Sequence, residues 1–192
     1  MTNAQELKTF LKNIHPVPES VLDEYVSSWT EFDLPKKTVM TAPDQKEEYL
    51  YYILEGIQKS YYLHDDKFHV IAFTYAPGFT GIIDSVLTGI PSKYYLETIS
   101  DSRFIRIPLS KHDELLNRHR SLETMYRKYN ERVLVGLLDR YFELMAYDIE
   151  TRFKAFMSRS PHLLSMVSQK DLASYLRIDS TNFSKLINKI RI

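Results

Sequence analysis

Cysteine is absent from the 192-residue chain. Disulfides, thiolate zinc sites, cysteine-ligated iron–sulfur clusters and cysteine nucleophiles are therefore excluded. There is no run of about 18 apolar residues, so no transmembrane helix is expected. The first residues, MTNAQELKTFLKNI, lack the basic segment and apolar core of a secretory signal. The simplest expectation is a cytoplasmic protein without a membrane partner. A P-loop, a nucleophile elbow and a dinucleotide fingerprint are also missing. Six histidines are scattered without metal-ligand spacing. His64 and His69 flank a turn, and Asp65-Asp66 reads as a solvated turn, not a carboxylate pair. No catalytic residue, no metal and no resident cofactor are expected; an effector would be an unidentified small molecule.

Net charge is missing too, since 25 Lys and Arg balance 25 Asp and Glu. The balance hides an asymmetry. Residues 151–192 carry eight basic and two acidic side chains, a net +6, and residues 1–150 carry the opposite −6. A small basic module on an acidic body is the electrostatic layout of a nucleic-acid binder. The 44% hydrophobic content with 13% aromatics is that of a core-forming globular chain.

The basic excess coincides with a motif. Ser168 and Asp171 form a capping box before an apolar run. Leu172, Ala173 and Leu176 give one buried face, Arg177-Ile178 breaks the helix, and Asp179 is suited to cap the next. Phe183, Leu186, Ile187 and Ile190 then recur at helical spacing. The opposite face carries Ser180, Thr181, Ser184, Lys185, Asn188 and Arg191, with donors and positive charge and no carboxylate. A helix-turn-helix of this kind suits a DNA major groove. From this face Ser180, Thr181, Ser184, Lys185 and Asn188, with Gln169 and Lys189, are the candidate DNA contacts. The plainer alternative is a helical hairpin with a solvated polar face.

Upstream, Leu7, Phe10, Leu11 and Ile14 predict a helix over residues 3–14, which Pro16 and Pro18 end. A second helix is expected over Glu19–Thr30. Strands are expected at Thr38–Thr41, Tyr49–Leu54, Lys59–Leu63, His69–Tyr75, Tyr94–Ile99 and Arg103–Ile107. Glu55-Gly56 and His64-Asp65-Asp66-Lys67 read as hairpin turns. The spacing suggests an antiparallel sandwich or barrel, interrupted at Tyr75–Pro91 by a loop with a short helix at Ile83–Leu87. Ser110 and Asp113 predict a capping box for a helix through Arg118. A long helix is expected over Ser121–Tyr147, with Tyr126, Tyr129, Val133, Leu137, Tyr141 and Leu144 on one stripe. Leu134, Leu138, Phe142 and Met145 form another. One stripe can pack on the barrel. The other is left for the same helix of a second subunit, and Tyr126, Tyr129, Val133, Leu137 and Tyr141 are the expected dimer contacts. A further helix over Asp148–Ser160 leads into the basic module.

This order of elements resembles the cyclic-AMP receptor protein / fumarate–nitrate regulator (Crp/Fnr) superfamily of bacterial transcription factors, and most of all its shorter Bacteroidetes-type branch. The residues that carry the likeness are Tyr51-Tyr52-Ile53-Leu54-Glu55-Gly56 with Lys59-Ser60-Tyr61-Tyr62, Asp84 through Ser92, Asp101-Ser102, Thr151-Arg152-Phe153, and Pro161-His162-Leu163-Leu164 through Leu172–Leu176 to Phe183-Ser184-Lys185-Leu186. The resemblance implies an α+β chain. A cyclic-nucleotide-binding-like double-stranded β-helix (a β-roll of jelly-roll type) would occupy residues 1–120, a dimerisation helix 121–147, and a helix-turn-helix domain 148–192. It implies a homodimer on double-stranded DNA, with RNA polymerase as a further partner. Ser180, Thr181 and Lys185 fall where the family reads bases.

The departures are informative. Nucleotide-binding members carry Gly-Glu for the ribose and Arg-Ser for the cyclic phosphate. Here the loops read Gly81-Ile82-Ile83 and Pro91-Ser92-Lys93. Burying a cyclic phosphate without its Arg costs several kcal/mol, on the order given for buried ions. Cyclic AMP is therefore not the expected ligand of Gly81, Ile82, Ile83, Pro91, Ser92 and Lys93. The sequence stops two residues after Ile190, so the family's β-hairpin wing is expected to be absent. Arg177 replaces the glycine between the two helices, which requires either φ below zero or modest strain. Two alternatives to a DNA-binding regulator stand beside it: a small-molecule sensor whose helix-turn-helix no longer binds DNA, and a metal-dependent enzyme on a cupin-like barrel.

Overall fold

A computed structural model describes residues 2–65 and 67–189 of the chain. Met1, Asp66 and residues 190–192 lie outside the described residues, and with them the expectations for Asp66 in the turn, Ile190 on the buried stripe and Arg191 on the polar face. Among the described residues no helix is long and apolar enough to cross a membrane.

The chain opens with α1 (Asn3–Lys12) and α2 (Glu19–Ser27). Eight strands follow among the described residues: β1 (Thr30–Leu34), β2 (Val39–Thr41), β3 (Tyr49–Glu55), β4 (Ile57–His64), β5 (Lys67–Tyr75), β6 (Gly78–Thr80), β7 (Tyr95–Thr98) and β8 (Ser102–Pro108). Helix α3 (Ile83–Thr88) interrupts them. Then come α4 (Leu109–Arg118), α5 (Arg120–Ala146), α6 (Ile149–Arg159), α7 (Leu163–Met166), α8 (Gln169–Leu176) and α9 (Ser180–Lys189). The strands form two four-stranded sheets, ordered β1-β8-β3-β6 and β2-β7-β4-β5. The class is α+β and the strands form a β-roll, as expected.

The chain divides into two compact units. The first comprises Met1–Tyr61 with Phe73–Arg132, the second Tyr62–Ala72 with Val133–Ile192.

In the first unit, β3 and β8 pair with Tyr51 opposite Arg106 and Ile53 opposite Phe104. The pleat sends alternate side chains to opposite faces. Leu50, Tyr52, Ile105 and Ile107 meet Leu7, Leu11, Leu22 and Tyr25 of α1 and α2 in one buried cluster. Tyr51, Ile53 and Phe104 form a second cluster with Phe32, Leu34 and Met40. Tyr126, from the first half of α5, belongs to the first cluster and is only 7% exposed. Its hydroxyl is 2.8 Å from that of Tyr25, which lies 2.9 Å from Nδ1 of His112. Burial lowers the His112 pKa to about 4.

Several sequence expectations are corrected here. Strands β1 and β6 were not anticipated. The first has two apolar residues, Phe32 and Leu34, among polar ones, and the second is three residues long beside Pro77. The expected helix through Thr30 ends at Ser27 because Thr30 enters β1 opposite Arg106. Glu55-Gly56 is not a hairpin turn, because β3 and β4 belong to different sheets. Gly56 has φ +97°, and a Cβ there would lie 2.3 Å from the Ser102 hydroxyl. A corner this close to β8 excludes a side chain. The predicted Ser110 capping box does not form either, since α4 starts earlier, after Pro108, without a side-chain cap.

Tyr126 and Tyr129 are corrected as dimer contacts. Both rings pack within the first unit, Tyr129 edge-on to Phe79 at 5.2 Å. The stripe turns outward only further along α5. Leu134, Val135, Leu137, Leu138, Tyr141, Phe142 and Met145 are all exposed, Met145 by 71%. Val133 is half-buried.

Candidate nucleic-acid interface

The second unit builds its helix pair as the sequence predicts. The Ser168 hydroxyl accepts the Asp171 amide at 3.1 Å and caps α8. Leu172, Ala173 and Leu176 are buried. Arg177 ends the helix at φ +54°, ψ 43°, in the left-handed region. A non-glycine residue there costs roughly 1–2 kcal/mol, so the substituted turn takes the strained alternative. The Ile178 amide donates to the Ala173 carbonyl at 3.0 Å, and Ile178 is buried. Asp179 then caps α9, accepting from the amides of Thr181 (2.9 Å) and Asn182 (3.3 Å).

Phe183 and Leu186 anchor α9. Phe183 packs edge-on to Phe153 of α6, with centroids 5.7 Å apart. This fixes which face looks outward. Ser180, Thr181, Ser184, Lys185, Asn188 and Lys189 are exposed, and so is Gln169 at the start of α8. Lys185 has no ion pair among the described residues. Lys189 lies 3.6 Å from Glu150, which also pairs with Lys154 at 2.9 Å.

Helices α5, α6 and α8 are tied together by charge. Glu143 is buried and takes the Arg159 guanidinium with both carboxylate oxygens, one at 2.8 Å. Glu143 thereby raises the Arg159 pKa. Arg140 donates to the Tyr175 carbonyl and stacks 4.1 Å from the centre of its ring. Its burial lowers its own pKa. The helix pair is thus fastened to the second half of α5, where the apolar stripe is exposed.

The sequence places the β4–β5 hairpin but not its contact with α8. The Ser174 hydroxyl on α8 accepts the Val70 amide at 3.0 Å and donates to the Phe68 carbonyl at 3.2 Å. The Lys170 ammonium sits 4.6 Å from the Phe68 ring centre. An open cleft of about 510 Å³ remains beside this contact, lined by Lys67, His69, Lys170, Arg177, Asp179 and Ser180 among others. The available signal was the spacing of Lys170 and Ser174, one turn apart on α8.

In the first unit, the six residues expected to line a ligand pocket differ in exposure. Ile82 and Ser92 are buried, whereas Ile83, Pro91 and Lys93 are exposed. Gly81, half-buried at φ +148°, leads into α3, and a Cβ there would be 3.2 Å from Val86. Glu47 was not anticipated. Its carboxylate, 7% exposed as a residue, accepts the Ile82 amide at 3.0 Å and the Thr41 hydroxyl at 2.8 Å. Burial raises its pKa. The Ser92 hydroxyl is turned back on Tyr94, donating to its carbonyl at 2.9 Å and accepting its amide at 2.8 Å.

The chain folds as a β-roll, a long helix with an exposed apolar stripe and a helix-turn-helix. Solved structures that share this fold include proteins described as regulators, one of them of the Crp/Fnr family. FixK2 from Bradyrhizobium japonicum aligns at TM-score 0.73 and 19% identity over 84% of each chain. The c-di-GMP-responsive global regulator CLP of Xanthomonas campestris aligns at 0.65 and 16%, over 91% of this chain and 92% of that one. A protein from Eubacterium rectale described as a Crp/Fnr-family transcriptional regulator aligns at 0.71 and 10%, over 93% and 88%. At these identities the likeness is one of fold. No family model matches the sequence, and no curated protein matches it.

Proposed function

We propose that the chain is a homodimeric, sequence-specific DNA-binding transcriptional regulator whose β-roll does not bind cyclic AMP. The observation that carries this reading is the outward face of α9. Ser180, Thr181, Ser184, Lys185 and Asn188 are exposed together while Phe183 and Leu186 hold the helix down. Short polar side chains with a lysine match base edges and phosphates in the major groove. The stripe from Leu134 to Met145 supports a two-fold partner, because contiguous exposed apolar surface marks an interaction site.

The loop around α3 supports the second half of the proposal. The Ile82 amide is already bonded to a carboxylate of the chain itself, the Ser92 hydroxyl is engaged by Tyr94, and Lys93 stands in solvent. The Ile82 amide is thus already engaged, and neither residues 81–83 nor residues 91–93 offer a guanidinium for a cyclic phosphate.

Titration of a mixed-sequence duplex tests the first half, with affinity falling steeply as salt rises; a flat salt response overturns it. Thermal unfolding with and without cyclic AMP tests the second. No change in midpoint is expected, since only a ligand that prefers the folded state raises it.

A further inference from the structure

We propose that the start of β5 is part of the duplex-binding surface, with Lys67 completing a cleft for a DNA backbone phosphate that Lys170 and Arg177 line from the helix-turn-helix. The inference rests on the reading of α9 as a DNA-contacting helix and extends the contact surface to a strand of the β-roll.

The cleft is polarised. Among the described residues that line it, Lys67, Lys170 and Arg177 contribute three cationic groups and Asp179 one carboxylate. The Asp179 charge is held by the Thr181 and Asn182 amides at 2.9 and 3.3 Å. None of the three cations has an ion pair with a carboxylate among the described residues. Like charges that outnumber the opposite charge beside them are costly to one another, and an anion relieves that cost.

The cations are also placed. Phe68, the residue after Lys67, has its carbonyl bonded to Ser174 at 3.2 Å, so the chain next to Lys67 is fixed against α8. The Lys170 ammonium rests on the Phe68 ring. Arg177 is set by the left-handed turn that ends α8. Ammonium groups supply rotatable donors and a guanidinium a planar fork, a combination that suits a tetrahedral phosphate.

Position selects the duplex over a free anion. Ser180 lines the cleft and is also the first residue of the exposed face of α9. A helix whose face enters the major groove has backbone phosphates beside its first turn. A phosphate in this cleft would therefore belong to the same duplex that α9 reads.

The test uses the full chain, a short mixed-sequence duplex and fluorescence anisotropy over a range of salt. Lys67→Ala should make the slope of log affinity against log salt shallower by about 0.9, the loss of one phosphate contact. At low salt the affinity should fall several-fold. Lys46→Ala, which removes an exposed lysine between β2 and β3, should leave the slope as it was. A slope unchanged by Lys67→Ala, or changed equally by Lys46→Ala, overturns the proposal. So does a nuclear magnetic resonance titration in which inorganic phosphate or cyclic AMP moves the Phe68 and Arg177 amides while duplex does not, since the cleft then takes a free anion. Absence of any duplex binding by the unaltered chain sinks the reading of α9 itself; binding that ignores Lys67 sinks only the hairpin's part in it.

Discussion

Ser174 and Val70 are 104 residues apart in sequence and 3.0 Å apart in space, hydroxyl oxygen to amide nitrogen. The same hydroxyl donates to the Phe68 carbonyl. One side chain on α8 therefore satisfies two main-chain groups of β5. Ser174→Ala removes both bonds and leaves the amide of buried Val70 without this partner. An unsatisfied buried donor costs roughly 1–3 kcal/mol. Hydrogen exchange at Val70 should accelerate by about tenfold for each ~1.4 kcal/mol lost. Unchanged exchange would mean that the start of β5 does not rest on α8 in solution.

Acid should weaken the fold through His112. Burial shifts this imidazole from an ordinary 6.5 to about 4. The unfolded chain therefore takes up a proton before the folded one does. Stability is complete above pH 6.5, declines as pH falls between 6.5 and about 4, and levels off below. The whole decline is on the order of 3 kcal/mol. His112→Phe leaves the Tyr25 and Tyr126 hydroxyls bonded to each other and should remove this part of the acid dependence. Urea unfolding at several pH values measures it; an identical decline in the variant assigns the effect to other groups.

The exposed stripe of α5 predicts the oligomeric state. Leu138 is 59% exposed and lies one turn from Leu134 and Phe142. Light scattering should report a mass of two chains, and Leu138→Glu should give one, because a carboxylate would be buried unpaired in the interface. Far-ultraviolet circular dichroism should be retained at low protein concentration. A dimer that survives this substitution rejects the stripe as its seam.

Helix α9 separates contact from support. Lys185→Ala changes only an exposed position and should cost roughly 1–3 kcal/mol of affinity for the preferred duplex with little loss of stability. Phe183→Ala empties a fully buried site against Phe153 and should cost roughly 3–5 kcal/mol of stability, taking DNA binding with it. Equal loss of binding and folding in both variants would contradict this division.

The legibility of the molecule follows the range of its interactions. Ser168, Asp179 and the Phe183–Leu186 spacing placed α8 and α9 because caps and helical periodicity act within a few residues. Tyr126 shows the limit. Its spacing matched Leu137 and Tyr141, yet it is packed against Tyr25, 101 residues away, while they are exposed. Periodicity identifies an apolar stripe but not what covers each stretch of it. Gly56 shows the same for turns: local sequence marked a reversal, and pairing with distant β8 decided that it joins two sheets. Glu47 carried no local signal, because its role depends on Ile82, 35 residues on.

The sequence by itself determined the order of helices and most strands, the basic terminal segment and the outward chemistry of α9, all consequences of short-range periodicity, capping and net charge. Tertiary structure alone decided that Glu47 holds the α3 loop, that the first half of α5 is core and the second half surface, and that β5 rests on α8. Those outcomes depend on side chains far apart in sequence competing for the same buried space and the same hydrogen-bond partners, and no local pattern encodes which of them meet.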